Sequence, residues 1–154
     1  MRDLLVPFRA ALIAALLPLA AAAQEAAEPA PADPAPAERP AVGPVPAAEV
    51  TLAQFLWERR PIVVFADTPN DPQFLRQMAA IEAGLDELDE RDVVVITDTD
   101  PAGASDARQR LRPRGFSLVL MDKDGGVKRR QPSPWTLREI THTIDRFPLR
   151  RQEM

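Results

Sequence analysis

Ile62-Val63-Val64-Phe65, then Asp71-Pro72, then Val93-Val94-Val95-Ile96 set out a strand, a helix start and a second strand in close succession. Each four-residue run is apolar throughout, which suits a central strand covered on both faces rather than a half-exposed one. Asp71 is a helix N-cap, and Pro72 takes the first helical position, where its missing N–H is not needed. Phe74, Met78, Ile81, Leu85 and Leu88 follow at spacings of 4, 3, 4 and 3, the signature of one apolar helix face. Gly84 weakens the middle of that helix slightly. Strand, helix and strand in this order read as a right-handed parallel βαβ unit.

The rest of the domain extends from that unit. Upstream, Thr51 with Gln54 is a capping-box signature for a short helix whose apolar side is Leu52, Phe55 and Leu56. Trp57 is expected to close that helix against the core, before Pro61 stops it. Downstream, Ser105-Asp106 caps one or two helical turns ending before Pro113. Phe116 to Met121 is a third strand, and Asp122-Lys123-Asp124-Gly125-Gly126 turns the chain into a polar fourth strand, Val127 to Arg130. Lys128, Arg129 and Arg130 guard that strand as a sheet edge. A last helix starts at Ser133-Pro134 or at Thr136 with Glu139, buries Leu137, Ile140, Ile144 and Phe147, and ends at Pro148. Arg150 to Met154 are expected to be a charged tail. The βαβ unit followed by a ββα unit predicts an α/β, thioredoxin-like three-layer sandwich with a mixed four-stranded sheet.

Residues 1–23 carry Arg2 and Arg9, an apolar run from Ala10 to Ala20, and Ala21-Ala22-Ala23 before Gln24. This is the pattern of a signal peptide cleaved after Ala23, and the run is too short for a membrane span of about 20 residues. The mature chain is therefore expected to be soluble, periplasmic or secreted, with no transmembrane helix after cleavage. Residues 24–48 hold seven prolines and nine alanines and no aromatic, so they read as a disordered linker. Residues 49–154 are one domain, long enough to fold on packing alone. No cysteine is present. Thiol–disulfide exchange is thereby excluded, because the thiolate is its nucleophile.

The stretch between the first strand and its helix, where a thioredoxin-like domain keeps its reactive thiols, is Ala66-Asp67-Thr68-Pro69-Asn70-Asp71. No His or Lys nearby in sequence would activate Thr68, so the stretch reads as a capped loop. Phe116 stands where such a fold usually places a proline before its third strand. His142, the only histidine, falls off the apolar face of its helix and reads as a solvated side chain. Asp122 and Asp124 lack the other ligands of a calcium loop, so neither a metal nor a cofactor is implied. Charge carries more information. Residues 24–104 sum to −11 and residues 105–154 to +6. Arg108, Arg110, Arg112 and Arg114, then Lys123, Lys128, Arg129, Arg130, Arg150 and Arg151, could form an anion-binding face or simply guard the edge strand and pair with the acidic half. With no aromatics among these arginines, nucleic acid is not an expected partner.

Arg60-Pro61 before Val63-Val64-Phe65-Ala66, Asp71-Pro72, Gln77, Arg91-Asp92-Val93, and Lys123-Asp124-Gly125-Gly126-Val127-Lys128 with Arg130 form a recognisable series. So does the ending Ile144-Asp145-x-Phe147-Pro148-Leu149-Arg150-Arg151-x-Glu153-Met154. Together they resemble the domain of unknown function 4174 family, the DUDES group of exported domains, over nearly all of residues 50–154. The resemblance implies a thioredoxin-like fold, relatives in animal extracellular-matrix proteins linked to adhesion, and no established reaction. The chain departs from the family pattern at Asp122, usually Gly, and at Phe147 and Leu149, where methionines are common. Lys123, Lys128, Arg130, Arg150 and Arg151 match family motifs and are carried over as candidate partner contacts. The expected function is a redox-inactive binding module for an envelope or extracellular protein or an anionic polymer, through its arginine-rich C-terminal face. The alternatives are an enzyme with non-thiol chemistry at Asp67, Thr68 or Asp98, and a purely structural envelope protein.

Overall fold

A computed structural model of the chain describes residues 43–154, and its sheet is centred on the two apolar runs. The signal segment and the linker as far as residue 42 lie outside the described residues. Strand β1 is Val45–Pro46, β2 Arg60–Phe65, β3 Val93–Asp98, β4 Ser117–Met121 and β5 Val127–Gln131. β2 and β3 run parallel, in register from Arg60 opposite Val93 to Phe65 opposite Asp98. β4 lies antiparallel on the other side of β2, and β5 antiparallel to β4, for an order of β1-β3-β2-β4-β5.

The thioredoxin-like sandwich is thus present, with five strands rather than four. The additional strand, β1, comes from the stretch read as linker: Val45 pairs with Ile96 and Pro46 with Thr97. Two residues are too few for any periodicity, and proline is tolerated there only because β1 is an edge.

Five helices cover the sheet: α1 Pro72–Glu82, α2 Leu85–Asp89, α3 Asp106–Leu111, α4 Leu137–Ile144 and α5 Pro148–Glu153. Alternate residues of β2 serve two cores, as a pleated strand requires. Ile62 and Val64 pack with Met78, Ile81, Leu88, Ile140 and Ile144 under α1, α2 and α4. Val63 and Phe65 pack with Leu52, Phe55, Ala107 and Leu111 on the opposite face.

Local rules explain most boundaries. Asp71 Oδ1 accepts from the N–H groups of Gln73 and Phe74 at 2.7 and 3.4 Å, capping α1. Thr136 and Glu139 cap one another reciprocally, so α4 starts at Leu137 rather than near Ser133.

Three expectations are corrected. The single helix over 72–88 is two: Gly84 leaves helical geometry (φ −146°, ψ 43°), and a Cβ there would overlap the Leu137 side chain of α4. Pro148 opens α5 instead of leaving a tail: it sits at the first helical position, as Pro72 does. Trp57 does not close on the core. It is 68% exposed in a left-handed conformation (φ 67°), where the chain reverses to enter β2, and its N–H donates to the Lys123 carbonyl at 2.7 Å.

Candidate anion-binding face

Where a thioredoxin-like domain holds its thiols, this chain has a loop with no reactive pair. Asp67, Thr68, Pro69 and Asn70 are exposed, and Asp71 is committed to its cap. Beside it, Asp98 at the end of β3 is buried and heavily hydrogen-bonded. Its Oδ1 accepts from Arg108 Nε and Nη2 at 3.1 and 2.8 Å and from the Asp100 N–H at 3.2 Å. Its Oδ2 accepts from Ser105 Oγ, and Arg108 Nη2 also donates to the Ala66 carbonyl at 3.1 Å. A cavity of about 250 Å³ opens next to this cluster, lined by Pro46, Ala47, Thr97, Thr99 and Asp100 among others. This carboxylate ties α3 and the 99–105 loop to the sheet; three of its bonds fall on Oδ1, while Oδ2 accepts only from Ser105 and itself lines the cavity's side of the cluster with one acceptor position unfilled.

At the opposite end of the sheet the candidate residues Lys123 and Arg150 belong to an internal ion network. Its centre is Arg60, at the start of β2 and completely buried. Arg60 Nε donates to Asp122 Oδ1 at 3.0 Å, Nη1 to the Arg91 carbonyl at 2.8 Å, and Nη2 to Glu153 Oε2 at 2.8 Å. Lys123 Nζ reaches Asp92 at 2.8 Å and Glu153 Oε1 at 3.0 Å. Arg150 Nη1 lies 3.6 Å from Glu153. Next to this network Asp145 holds Arg91 through two hydrogen bonds of 2.9 and 3.1 Å, and those bonds push the Arg91 pKa up. Burial alone would raise the Glu153 carboxyl, but the bonds from Lys123 and Arg60 outweigh it and hold the group below its usual range. Asp122 thus supplies a buried carboxylate to the buried Arg60.

The remaining candidates lie along β5. Arg130 turns toward α3, donating to the Leu111 carbonyl at 2.9 Å and so serving the last turn of that helix. Lys128 is the extra residue of a β-bulge: Arg129 pairs with Leu120 and Val127 with Met121, leaving Lys128 unopposed. Strict alternation would send Lys128 and Arg129 to opposite faces, yet both line one groove of about 370 Å³ with Trp135, Arg146, Phe147 and Pro148. Arg129 lies over the Trp135 ring, 5.5 Å from its centroid, and Lys128 Nζ bonds Asp124 at 2.9 Å, which lowers the Asp124 pKa. Neither Arg129 nor Arg146 has a carboxylate partner among the described residues. Arg151 is exposed at a second, shallower hollow that shares Pro148 with the groove. Of the five candidates, then, the fold brings Lys128 and Arg151 to one face, Lys123 and Arg150 to the ion network, and Arg130 to α3.

Trp135 and Arg146 are groove residues that sequence reading did not single out. Arg129 was weighed among the cations of a possible anion-binding face but not among the five carried-over contacts; the bulge and the cation–π stack beside it are tertiary features.

Comparisons place the chain among thioredoxin-like folds. The family described as "Domain of unknown function (DUF4174)" matches residues 51–153. A zebrafish (Danio rerio) protein, coiled-coil domain-containing protein 80, is 30% identical over 133 residues; the match covers 67% of this chain and 15% of that protein's length. Plasmodium yoelii Prx1a superposes with a TM-score of 0.51 at 19% identity, covering 68% of this chain and 80% of its own. Chloroplastic thioredoxin z superposes at 0.50 and 23% identity, covering 67% of this chain and 90% of its own. Both likenesses concern the fold alone.

Proposed function

The chain belongs to the DUF4174 family, and from that premise we propose that it is a redox-inactive binding module, exported from the cytoplasm, that holds an anionic envelope or extracellular partner in the groove between β5 and the α4–α5 corner. The observation that carries this reading is Arg129. Its guanidinium is held over Trp135, lines the groove, and has no acidic partner among the described residues. An arginine oriented before its ligand arrives loses little freedom on binding, and its planar fork suits carboxylate, phosphate or sulfate oxygens. Arg146 adds a second cation, while Phe147 and Pro148 offer apolar walls to the body of the ligand. The absence of cysteine supports binding rather than redox chemistry on this scaffold.

The test is retention of the mature chain on sulfated and carboxylated resins at rising salt. Arg129→Ala with Arg146→Ala should elute at clearly lower salt than the wild type. Arg76→Ala with Arg138→Ala, which removes the same charge elsewhere on the surface, should not. Equal loss from both pairs would reduce the effect to net charge and end the proposal.

A further inference from the structure

The cavity of about 250 Å³ beside Asp98 has no Lys, Arg or His in its lining among the described residues. Pro46 ends β1, and Ala47 and Ala48 follow it in a short 3-10 turn; these three give the cavity an apolar side. Apart from Gly103, every other lining residue carries a carboxylate or a hydroxyl: Asp98 and Asp100, with Thr97, Thr99 and Ser105. Carboxylates only accept hydrogen bonds, and the one proton of the Ser105 hydroxyl is already donated to Asp98 Oδ2.

Two carboxylate oxygens have room for a donor. Asp98 is 5% exposed, and its Oδ2 carries only the bond from Ser105, so one acceptor position of a buried oxygen stays open. Asp100 Oδ1 takes the Ala102 N–H at 3.0 Å, while Oδ2 has no donor among the described residues. Gly103 keeps that oxygen uncovered, because a Cβ there would lie 2.9 Å from it. Arg108 balances the charge of Asp98 at 2.8 Å. Asp100 has no ion-pair partner among the described residues, so the cavity keeps one net negative charge.

A matching ligand brings N–H donors, a positive charge and a short apolar body. An alcohol would meet the acceptors but not the charge. A metal ion is a poorer match, since no group of three acidic or histidine ligands stands together among the described residues. The volume is below the roughly 300–1,000 Å³ of drug-sized sites, so the ligand must be small. We propose that this cavity binds a small primary ammonium ligand, its N–H groups donating to the open oxygens of Asp98 and Asp100 and its alkyl body lying against Pro46, Ala47 and Ala48. The site shares no lining residue with the groove on β5 and does not rest on it.

The test is a titration of the mature chain with n-butylammonium chloride at neutral pH and constant ionic strength, followed by amide NMR. The amides of residues 97–105 should shift saturably, with half-saturation at about 10 mM or below. n-Butanol lacks the charge and tetramethylammonium lacks the N–H donors, so each should bind at least about fivefold more weakly. Asp100→Asn keeps an acceptor for the Ala102 N–H and removes the charge, and should raise half-saturation by about threefold or more. Glu82→Gln, which removes an exposed charge from α1, should leave it unchanged. No saturation by about 100 mM overturns the proposal. So does equal binding of n-butanol, which would make the cavity merely apolar, or equal loss from Glu82→Gln, which would reduce the effect to net charge. If Asp100→Asn does not fold, the three ligands on the wild-type chain decide by the same criteria.

Discussion

The two ends of the sheet use charge differently. At the end where β2 and β3 finish, one carboxylate, Asp98, is surrounded by donors from α3 and its loop, and Arg108 closes over Phe65 with 5.5 Å between guanidinium and ring centroid. At the end where they begin, a buried arginine is surrounded by acceptors drawn from three places in the chain: Arg91 with Asp92, Asp122, and Glu153. The first end centres on residues 98–108 and ties α3 and its loop to the end of β2. The second joins residues up to 93 positions apart and ties α5 to the start of β2.

Breaking each centre would sharpen the contrast, and Arg60 should matter most. Arg60→Ala leaves Asp122 buried with neither charge partner nor solvent, so urea unfolding should show a loss of about 3–5 kcal/mol or no folded protein at all. Asp98→Ala should be milder, at about 1–3 kcal/mol. Arg108 keeps two carbonyl acceptors, at Ala66 and Asp98, and its side chain is 12% exposed. Equal losses would mean that both ends are simply buried ion pairs of one kind.

The smallest effect is the most diagnostic. Because the Glu153 carboxyl sits below its usual value in the folded chain, it contributes stability above the unfolded glutamate pKa of about 4.3, and that contribution fades as pH falls through the folded value. Glu153→Gln should therefore lie below the wild type in unfolding free energy at neutral pH, with the gap closing in acid. A gap of constant size from pH 7 to pH 3 would show that the ion pairs of Glu153 contribute nothing.

Legibility in the sequence followed the range of the interaction. The capped start of α1, the two central strands, the 122–126 turn and the polar edge could all be read locally, since N-caps, apolar runs and turn residues act within a few positions. Gly84 looked like a mild weakness in one helix; its backbone leaves helical geometry there, and Leu137, more than 50 residues away, packs too close for any side chain in its place. Lys123 looked like a surface cation because nothing in its neighbourhood announces Asp92 or Glu153, each about 30 positions away. Lys128 and Arg129 were read as guards of an edge, which they are. The bulge that aims both into one groove has no sequence signature in a run of polar residues.

By itself, the order of residues determined that two apolar strands flank a capped helix, that a basic hairpin and an amphipathic helix follow, and that no thiol is available for exchange. Each of these depends on local propensity, periodicity or the bare presence of an atom. Tertiary structure alone decided which cations face solvent and which face buried carboxylates, and which helix end closes over Arg60. Charges act through space and across a low-dielectric interior, so their partners are chosen by the folded path of the chain and not by spacing along it.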